Sequence, residues 1–414
     1  MTLRKKRVLF ICSDNYPYEG ANGKLLLNLF NAGLKEQFEV HVLTHKFHAD
    51  DKDSEELEGV FVHRFLSWFM FPKGRMNELL GHRNKVANYW NLITKKALPK
   101  MISRFDKQFF LSRQFSDDTY KQIEMLHETY HFDAIVPIII GYENVEAGVR
   151  FKKNHSEIKL IVYQLDPCGD NMLEKPGSLE GRLKLERDFL EYADTVITTP
   201  IIRKRFVELY PVELTDKVVE MEFPSLIVKQ YDDLSLQSTG PIKCLFAGNI
   251  YNGIRDPLYT LELFGSLEND NIELHLLGDC QTEIPEELKK PNIFFHNRVS
   301  ISEVGKQMQE ASILVNIGNK MTNQMPSKLV DYISTGKPIV NVYKNDACPS
   351  IPFLDSYDYV LNIKEHDNFE RDSLKLKEFI VENNRNRMTK ERILEKYQSC
   401  TPKYCAEMIN QIIL

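Results

Sequence analysis

Lys328 and Asp331 are the residues of this 414-residue chain whose spacing most clearly permits binding chemistry. Pro326 suits the first turn of a helix, and Gly336 suits the left-handed position beyond its last turn, which predicts a short helix between them. Residues three apart on a helix share a face. Lys328 near the helix start can meet a phosphate, and Asp331 can accept hydrogen bonds from a ribose diol. An ion pair within the helix is the alternative.

A second segment combines glycine with an arginine. It reads Ala247-Gly248-Asn249-Ile250-Tyr251-Asn252-Gly253-Ile254-Arg255-Asp256-Pro257 and follows a predicted strand. Its glycines allow close backbone approach to a ligand, and Arg255 can clamp a diphosphate through paired hydrogen bonds. The same guanidinium can neutralise charge that develops on a leaving group. A surface salt bridge is the alternative for Arg255.

The first half contributes a loop with Gly20, Gly23 and Lys24, which leads into a predicted helix, Leu25–Lys35. The N–H groups at a helix start can bind an anion or a sugar hydroxyl. A plain turn is the alternative for these glycines.

Asp166 ends another predicted strand, Lys159–Asp166. A carboxylate at a strand end can act as a general base for a hydroxyl, or can only orient it. An aspartate that caps the following turn is the alternative.

The elements that carry these residues follow an alternating pattern. Short apolar runs such as Arg7–Ser13 and Glu39–Thr44 alternate with amphipathic stretches, and the pattern restarts at Ile242–Asn249 and Ile272–Asp279. This alternation predicts an α/β fold with parallel sheets in two Rossmann-like domains that face each other across a cleft. We expect an N-terminal domain at 1–225, a C-terminal domain at 240–395 and a helix at 396–414 returning to the first domain.

A basic block interrupts the first domain. Residues 66–131 contain no convincing strand and are predicted to form a helical insertion. Between Arg64 and Arg113 there are eleven basic residues against two acidic ones, with aromatic residues interleaved. Such a segment can lie on an anionic membrane surface, and a helical hairpin with a solvated charged face is the alternative.

Composition excludes several classes. A net charge of -6 argues against a nucleic-acid-binding protein. The seven cysteines are scattered and form no zinc-ligand pattern, which indicates reduced thiols and a cytoplasmic protein. Neither a signal peptide nor a membrane-spanning run is recognisable. No Asp-x-Asp motif suited to a divalent cation follows a strand, so no metal site is predicted.

The segments around the two motifs resemble a known family. The stretch Met325-Pro326-Ser327-Lys328-Leu329-Val330-Asp331-Tyr332, followed by Thr335-Gly336-Lys337-Pro338, is similar to the donor-site signature of GT-B glycosyltransferases, close to the family-four group. Phe246-Ala247-Gly248-Asn249 resembles the strand and turn that open their C-terminal domain. Tyr16-Pro17 through Gly20, Gly23 and Lys24 is similar to their acceptor-side loop.

This resemblance implies a hexosyltransferase-like enzyme that needs no metal and no cofactor. Its donor would be a UDP- or GDP-linked sugar, and its acceptor a hydroxyl of a glycan or lipid-linked molecule in cell-surface polysaccharide or glycoconjugate synthesis. Asp331 would bind the ribose, and Lys328 and Arg255 the diphosphate. Asn323 stands where the family has the first of two acids. The implied donor site also includes Gly248, Asn249, Pro326 and Ser327.

Two alternative functions belong to other classes of protein. A Rossmann oxidoreductase would carry Gly-x-Gly-x-x-Gly after the first strand, and that fingerprint is absent. A catalytically inactive GT-B protein that acts as a binding or scaffold partner is compatible with the asparagine at position 323. The basic block between residues 64 and 113 adds the expectation of a peripheral protein on the inner face of the plasma membrane.

Overall fold

The computed structural model divides into two compact units. Unit 1 comprises Met1–Pro224 and Ser399–Leu414, and unit 2 comprises Ser225–Gln398. The described residues are 4–13, 16–17, 21–46, 51–66, 113–139, 142–165, 179–228, 234–237, 239–251, 253–322 and 324–414.

The described part of unit 1 forms an eight-stranded sheet. Its strands are β1 (Arg7–Ile11), β2 (Glu39–His45), β3 (Ser54–Leu57), β4 (Val60–Phe65), β5 (Ala134–Ile139), β6 (Lys159–Gln164), β7 (Thr195–Thr198) and β8 (Val218–Glu220). They are arranged in the order β3-β4-β2-β1-β5-β6-β7-β8, and every pairing is parallel except that of β3 with β4. The apolar run of β5 is buried along its whole length, as expected for a strand covered on both faces.

Helices cover this sheet. They are α1 (Ala21–Leu29), α2 (Lys35–Gln37), α3 (Arg113–Tyr130), α4 (Glu143–Asn154), α5 (Leu179–Tyr192), α6 (Pro200–Leu209), α7 (Val212–Thr215) and the C-terminal α14 (Pro402–Ile413), with a π-helical turn at Phe30–Leu34. Lys6 Nζ donates to the Ile413 carbonyl at 3.1 Å, and Lys159 Nζ donates to the Ile412 carbonyl at 3.0 Å. Cations at a helix C-terminus satisfy carbonyls that lack a helical partner. The predicted return of the C-terminal helix to the first domain is confirmed.

Unit 2 is a second doubly wound unit. Its strands are β9 (Ile242–Ala247), β10 (Ile272–Leu277), β11 (Ile293–His296), β12 (Ile313–Ile317), β13 (Ile339–Tyr343) and β14 (Val360–Lys364). The described strands lie in the order β11-β10-β9-β12-β13-β14, and all pairings are parallel. Because the strand order reverses between β9 and β12, the carboxyl ends of these strands form the edge at which such folds bind ligands.

The helices of unit 2 connect its strands. They are α8 (Leu258–Gly265), α9 (Ile301–Glu310), α10 (Lys328–Ile333), α11 (Ser350–Leu354), α12 (Phe369–Asn383) and α13 (Lys390–Tyr397), with 3₁₀ turns at Leu234–Gln237, Glu286–Leu288 and Gln398–Cys400. The α/β prediction with two parallel-sheet units is confirmed, because both sheets alternate with helices along the chain.

Two details differ from the sequence-based expectation. The predicted helix Leu25–Lys35 starts at Ala21, so Gly23 and Lys24 lie in the first turn of α1 and not in a loop. Its apolar periodicity begins at Leu25 because that periodicity marks the buried face, not the first turn. The antiparallel edge strand β3 was not predicted, since its sequence Ser-Glu-Glu-Leu carries no apolar run. Residues 67–112 of the predicted insertion lie outside the described residues.

Candidate functional site

A cavity of about 210 Å³ lies at the carboxyl ends of β9 and β10 in unit 2. The end of β9 leads into Gly248, the end of β10 leads into Gly278, and the segment after β11 contributes Arg298. Helices α9 and α10 form the opposite walls. The lining residues are Ala247, Gly248, Asn249, Leu277, Gly278, Arg298, Val299, Val304, Met308, Lys328, Asp331 and Tyr332.

Two glycines let the backbone turns and Lys328 approach each other closely in this cavity. A Cβ on Gly248 would lie 1.9 Å from Lys328 Nζ and 3.3 Å from Phe246 Cζ. Gly278 has a φ of +121°, and a Cβ there would lie 2.5 Å from the Gly248 carbonyl oxygen. Neither position accepts a larger side chain without displacing its neighbours. Gly248 was expected to let a ligand come close to the backbone. In the structure its missing side chain also leaves the space that Lys328 Nζ occupies.

Lys328, the first residue of α10, is held by the turn that ends β9. Its Nζ donates to the Ala247 carbonyl oxygen at 2.5 Å and lies 5.8 Å from the Phe246 ring centroid. Burial, reinforced by the nearby charge of Arg255, lowers the pKa of Lys328 to about 8, and Asp331 opposes this shift. Since a buried ammonium gains from a nearby negative charge, an anion in the cavity would stabilise its charged form.

Asp331 lies one turn along α10 from Lys328. It is half-buried and lines the cavity with the lysine, so the predicted shared face is present. The next residue, Tyr332, is 1% exposed and accepts a hydrogen bond from the Ala247 N–H at 2.9 Å. Tyr332 fixes α10 against β9, a role that sequence reasoning missed although the residue lies inside the motif.

Arg255 braces the turn from beside the cavity. Its Nη1 donates to the Asn249 carbonyl oxygen at 3.1 Å, and its Nε donates to Asn319 Oδ1 at 2.9 Å. Burial lowers the pKa of the Arg255 guanidinium. Arg255 is not among the described lining residues, so in this arrangement its contacts support the turn that carries Gly248.

Asn249 holds the same turn through its side chain. Its Oδ1 accepts the Asp279 N–H at 3.0 Å, and its Nδ2 donates to Tyr251 Oη at 2.7 Å. These bonds fix the turn after β9 to the turn after β10, so Asn249 shapes the cavity that it lines.

Arg298 is the cation that sequence reasoning missed. It is exposed, and it is the one arginine among the described residues that line the cavity. The described lining thus contains two cationic side chains, Arg298 and Lys328, and one carboxylate, that of Asp331. Its position in the sequence could have identified it, because Arg298 comes two residues after the apolar run that ends at His296. Segments that follow parallel strands carry ligand-binding residues.

The remaining predicted donor-site residues precede α10. Pro326 is buried and its carbonyl oxygen accepts the Leu329 N–H at 3.0 Å, while Ser327 is exposed at the start of the helix. Asn323, like Asp166 and Gly20 of the first half, lies outside the described residues. Gly23 is buried and Lys24 exposed on α1 in unit 1, and the described lining of the cavity comes from unit 2 alone.

A larger cavity of about 330 Å³ also lies in unit 2, with Lys337 and Arg387 in its lining. Lys337 Nζ donates to three carbonyl oxygens at the end of α9, and Arg387 Nη1 donates to two carbonyl oxygens beyond α12. Because these cations complete helix ends, the smaller cavity with Lys328 is the better candidate for anion binding.

Within the described residues, one set of metal-ligating groups comes together, at His127, His155 and Glu157 of unit 1. The Nδ1 of His127 accepts the Phe132 N–H at 3.2 Å, and His155 Nε2 lies 2.9 Å from Glu124. Contacts within the protein account for the positions of both rings. Among the described helices, none has the length and apolar composition needed to cross a membrane.

Comparisons with known proteins agree with this architecture. No protein-family model matches the chain, and no curated protein matches its sequence. Several solved structures match along its full length. A sucrose-phosphate synthase from Thermosynechococcus elongatus is 13% identical with a TM-score of 0.61, over 99% of this chain and 98% of that one.

Two further solved structures extend the comparison. The E. coli trehalose-6-phosphate structure bound with UDP-2-fluoro glucose is 9% identical with a TM-score of 0.62, covering 99% of both chains. The lipopolysaccharide outer core galactosyltransferase WaaB is 10% identical with a TM-score of 0.56, covering 98% of this chain and 99% of that one. These structures are GT-B glycosyltransferases, and the chain has their fold.

Proposed function

We propose that the protein is a glycosyltransferase that moves a sugar from a nucleoside-diphosphate sugar to an acceptor hydroxyl. The observation that carries the proposal is the half-buried side chain of Lys328, whose ammonium donates to the Ala247 carbonyl oxygen at 2.5 Å in a cavity that Arg298 and Asp331 also line. The fold shared with sucrose-phosphate and trehalose-phosphate enzymes supports it, as does UDP-2-fluoro glucose in one of those structures.

In this proposal the diphosphate lies against the turn at Gly248. Lys328 and Arg298 neutralise its charge directly, and Arg255 keeps the turn in place. Asp331 accepts the ribose hydroxyls, with Asn323, Pro326 and Ser327 completing the donor site before α10. The cations do this without a metal ion or cofactor, since oriented cations stabilise charge that develops on a leaving diphosphate.

The reaction breaks the bond between the anomeric carbon and the diphosphate oxygen and forms a bond to the acceptor oxygen. The leaving diphosphate keeps the electron pair of the broken bond, and the acceptor hydroxyl loses its proton. We assign that proton to Asp166, with Gly20, Gly23 and Lys24 on the acceptor side. The donor carries UDP or GDP, and the acceptor is a glycan or lipid-linked hydroxyl in cell-surface polysaccharide or glycoconjugate synthesis.

The donor site is tested with a thermal-shift panel of UDP, GDP, ADP, CMP and their common sugars, on the wild type and on Asp331→Asn. A ligand that binds only the folded state raises the melting temperature by mass action. We expect one nucleoside diphosphate to stabilise the wild type and not the variant. Asp346→Asn is the matched control, since Asp346 is exposed, pairs with Lys364 and does not line the cavity.

Turnover separates the enzyme from a scaffold. The asparagine at position 323 motivates the alternative of a catalytically inactive GT-B partner. Release of nucleoside diphosphate from the stabilising sugar nucleotide, lost in Asp331→Asn and retained in Asp346→Asn, supports transfer. Nucleotide binding without turnover in the presence of glycan and lipid-linked acceptors would favour the scaffold, and no binding at all would overturn the donor site.

Membrane contact is a separate part of the proposal. Ten basic residues between positions 73 and 113 supply the charge for a peripheral position on an anionic membrane surface, such as the inner face of the plasma membrane. The eleventh, Arg64, is buried on β4 and pairs with Glu55 at 2.6 Å, so it is left out. Co-sedimentation with vesicles containing anionic lipid, and with neutral vesicles, measures it. A variant with these Lys and Arg residues changed to Gln must lose binding for the proposal to stand.

A further inference from the structure

The two units carry the same four side chains at the same places in their sheets. In unit 1, Glu39 and His41 lie on β2, and Phe61 and His63 lie on the neighbouring β4. In unit 2 the equivalent side chains are Glu273 and His275 on β10, and Phe294 and His296 on β11. His41 pairs with Phe61 in register as His275 pairs with Phe294.

The contacts repeat as well. In unit 2, His275 Nε2 lies 3.1 Å from Glu273 Oε2, and His275 Nδ1 lies 3.0 Å from His296 Nε2. The corresponding distances in unit 1 are 3.2 Å from His41 Nε2 to Glu39 Oε1 and 3.0 Å from His41 Nδ1 to His63 Nε2. A histidine pair thus links β4 to β2 in unit 1 and β11 to β10 in unit 2.

Elementary hydrogen-bond chemistry fixes the protons in unit 2. A carboxylate only accepts, so His275 Nε2 carries the proton that faces Glu273. Neutral His275 then has its lone pair on Nδ1, and His296 must donate to it from Nε2. A proton on His275 Nδ1 replaces this acceptor with a donor, so the bond to His296 is lost.

The charged groups around His275 favour the neutral ring. Burial lowers the pKa of His275, and Lys243 and His296 lower it further, while Glu273 opposes the shift. Lys243 on β9 is itself held by Glu310 of α9 at 2.9 Å. Protonation of His275 therefore occurs only below its ordinary range, and it then costs the bond to His296.

This pair adjoins the cavity of the candidate site. The carbonyl oxygen of His296 accepts the Gly278 N–H at 3.2 Å, and Gly278 lines the cavity. Arg298 and Val299, which also line it, follow His296 in the chain. The described residues that line this cavity include none next to the unit 1 pair, His41 and His63. In that pair Ser54 Oγ lies 3.0 Å from His63 Nδ1.

We propose that His275 and His296 are positioning residues that form an acid-labile latch, which keeps Arg298 and Val299 at the donor cavity. When His275 takes up a proton at Nδ1, the end of β11 detaches from β10, and the cavity loses the wall that supplies one of its cations. Donor affinity therefore falls in acid. That a sugar nucleotide binds in this cavity rests on the proposed function, whereas the latch depends only on the sheet of unit 2.

The test compares the wild type with His275→Gln. A glutamine amide oxygen can accept from His296 Nε2 but takes up no proton, so this variant has no acid-triggered step. We expect the affinity for the nucleotide found in the panel to fall by up to roughly tenfold per pH unit in the wild type on the acid side, and to change less in the variant. Comparison at equal pH cancels the titration of the nucleotide. His63→Gln is the control and must keep the wild-type profile, while identical profiles for wild type and His275→Gln would overturn the latch.

A second measurement does not depend on the donor. Hydrogen exchange of the Gly278 amide and of residues 294–300, followed at about pH 7 and about pH 5, reports detachment of β11 directly. We expect faster exchange in the wild type than in His275→Gln at the lower pH only. Equal exchange overturns the latch even if a nucleotide binds. A difference in exchange with no nucleotide bound at any pH would leave the latch intact and overturn the proposed function.

Discussion

The ammonium of Lys328 and the carbonyl oxygen of Ala247 lie 2.5 Å apart, and this bond joins the start of α10 to the end of β9 across 81 positions of sequence. The bond places a half-buried cation beside Gly248 in the lining of the cavity. Burial is also what makes the cation sensitive to pH, because a buried amine releases its proton more readily.

Nucleotide affinity should therefore fall in alkaline solution. Lys328 must be charged to attract a diphosphate, and its pKa is lowered to about 8. We expect the affinity of the free protein for a nucleoside diphosphate to decline as pH rises through this value, by roughly tenfold per unit at most. Calorimetric titration across this range measures it. Lys328→Met should bind weakly with no alkaline decline, and an equal decline in that variant would refute the assignment.

The same lowered pKa affects stability without ligand. Because the unfolded chain holds the proton more tightly, the cost of burying the charge is present below pH 8 and disappears as pH rises toward the ordinary lysine pKa of 10.5. Lys328→Met should thus raise the melting temperature at neutral pH in the absence of nucleotide. A lower melting temperature would mean that the bond to Ala247 outweighs the burial of the charge.

A methyl group at position 248 should remove donor binding while leaving the fold in place. A Cβ there would meet Lys328 Nζ at 1.9 Å, so the ammonium must leave its position. We expect Gly248→Ala to weaken nucleotide binding by about 1.5–3 kcal/mol, or roughly 10- to 150-fold, as for loss of a hydrogen bond to a charged group. Gly305→Ala on α9 is the control, since nothing lies within 4 Å of its Cβ. That control should bind normally and gain about 0.5–1 kcal/mol of stability.

A ladder of asparagines should set the register of β12, β13 and β14. Asn316 Nδ2 donates to Asn341 Oδ1 at 2.8 Å, and Asn341 Nδ2 donates to Asn362 Oδ1 at 2.7 Å. Asn341→Leu removes the partner of two buried side chains, Asn316 and Ser350, at about 1–3 kcal/mol for each group left unsatisfied. Denaturant unfolding should show a larger loss for Asn341→Leu than for Asn362→Leu, because Asn362 is exposed. Equal losses would contradict the ladder as a stabilising unit.

Acid should destabilise unit 1 through His63. Burial and the neighbouring His41 lower the pKa of His63 to about 4, below the ordinary value of 6.5. The unfolded state thus binds more protons between these values, so stability is present above pH 6.5 and is lost as pH falls toward 4. The melting temperature of His63→Gln should depend less on pH in this window than that of the wild type. Parallel curves for the two proteins would show that His63 is not the group responsible.

Much of the architecture could be predicted from local pattern. Continuous apolar runs such as Ala134–Ile139 indicate strands buried on both faces, and the structure has them there. The edge strand Ser54–Leu57 could not be found in this way, because its pairing with β4 and not its own composition makes it a strand.

Some residues of the candidate site could likewise be predicted from the sequence, and others could not. The spacing of Lys328 and Asp331 indicated a shared helix face, and both residues line the cavity. Arg255 was expected to reach the ligand, but its contacts are with Asn249 and Asn319. Arg298 has no motif around it, and only the position of β11 beside β10 brings it to the cavity.

The sequence by itself determined the alternation of strands and helices and the short helix that carries Lys328 and Asp331, because apolar periodicity and residue spacing act within a few turns of the chain. Only the tertiary structure decided that Lys328 donates to Ala247, that Arg298 joins the cavity and that His275 bonds to His296. These contacts depend on strand order and packing, which bring together segments that no local pattern relates.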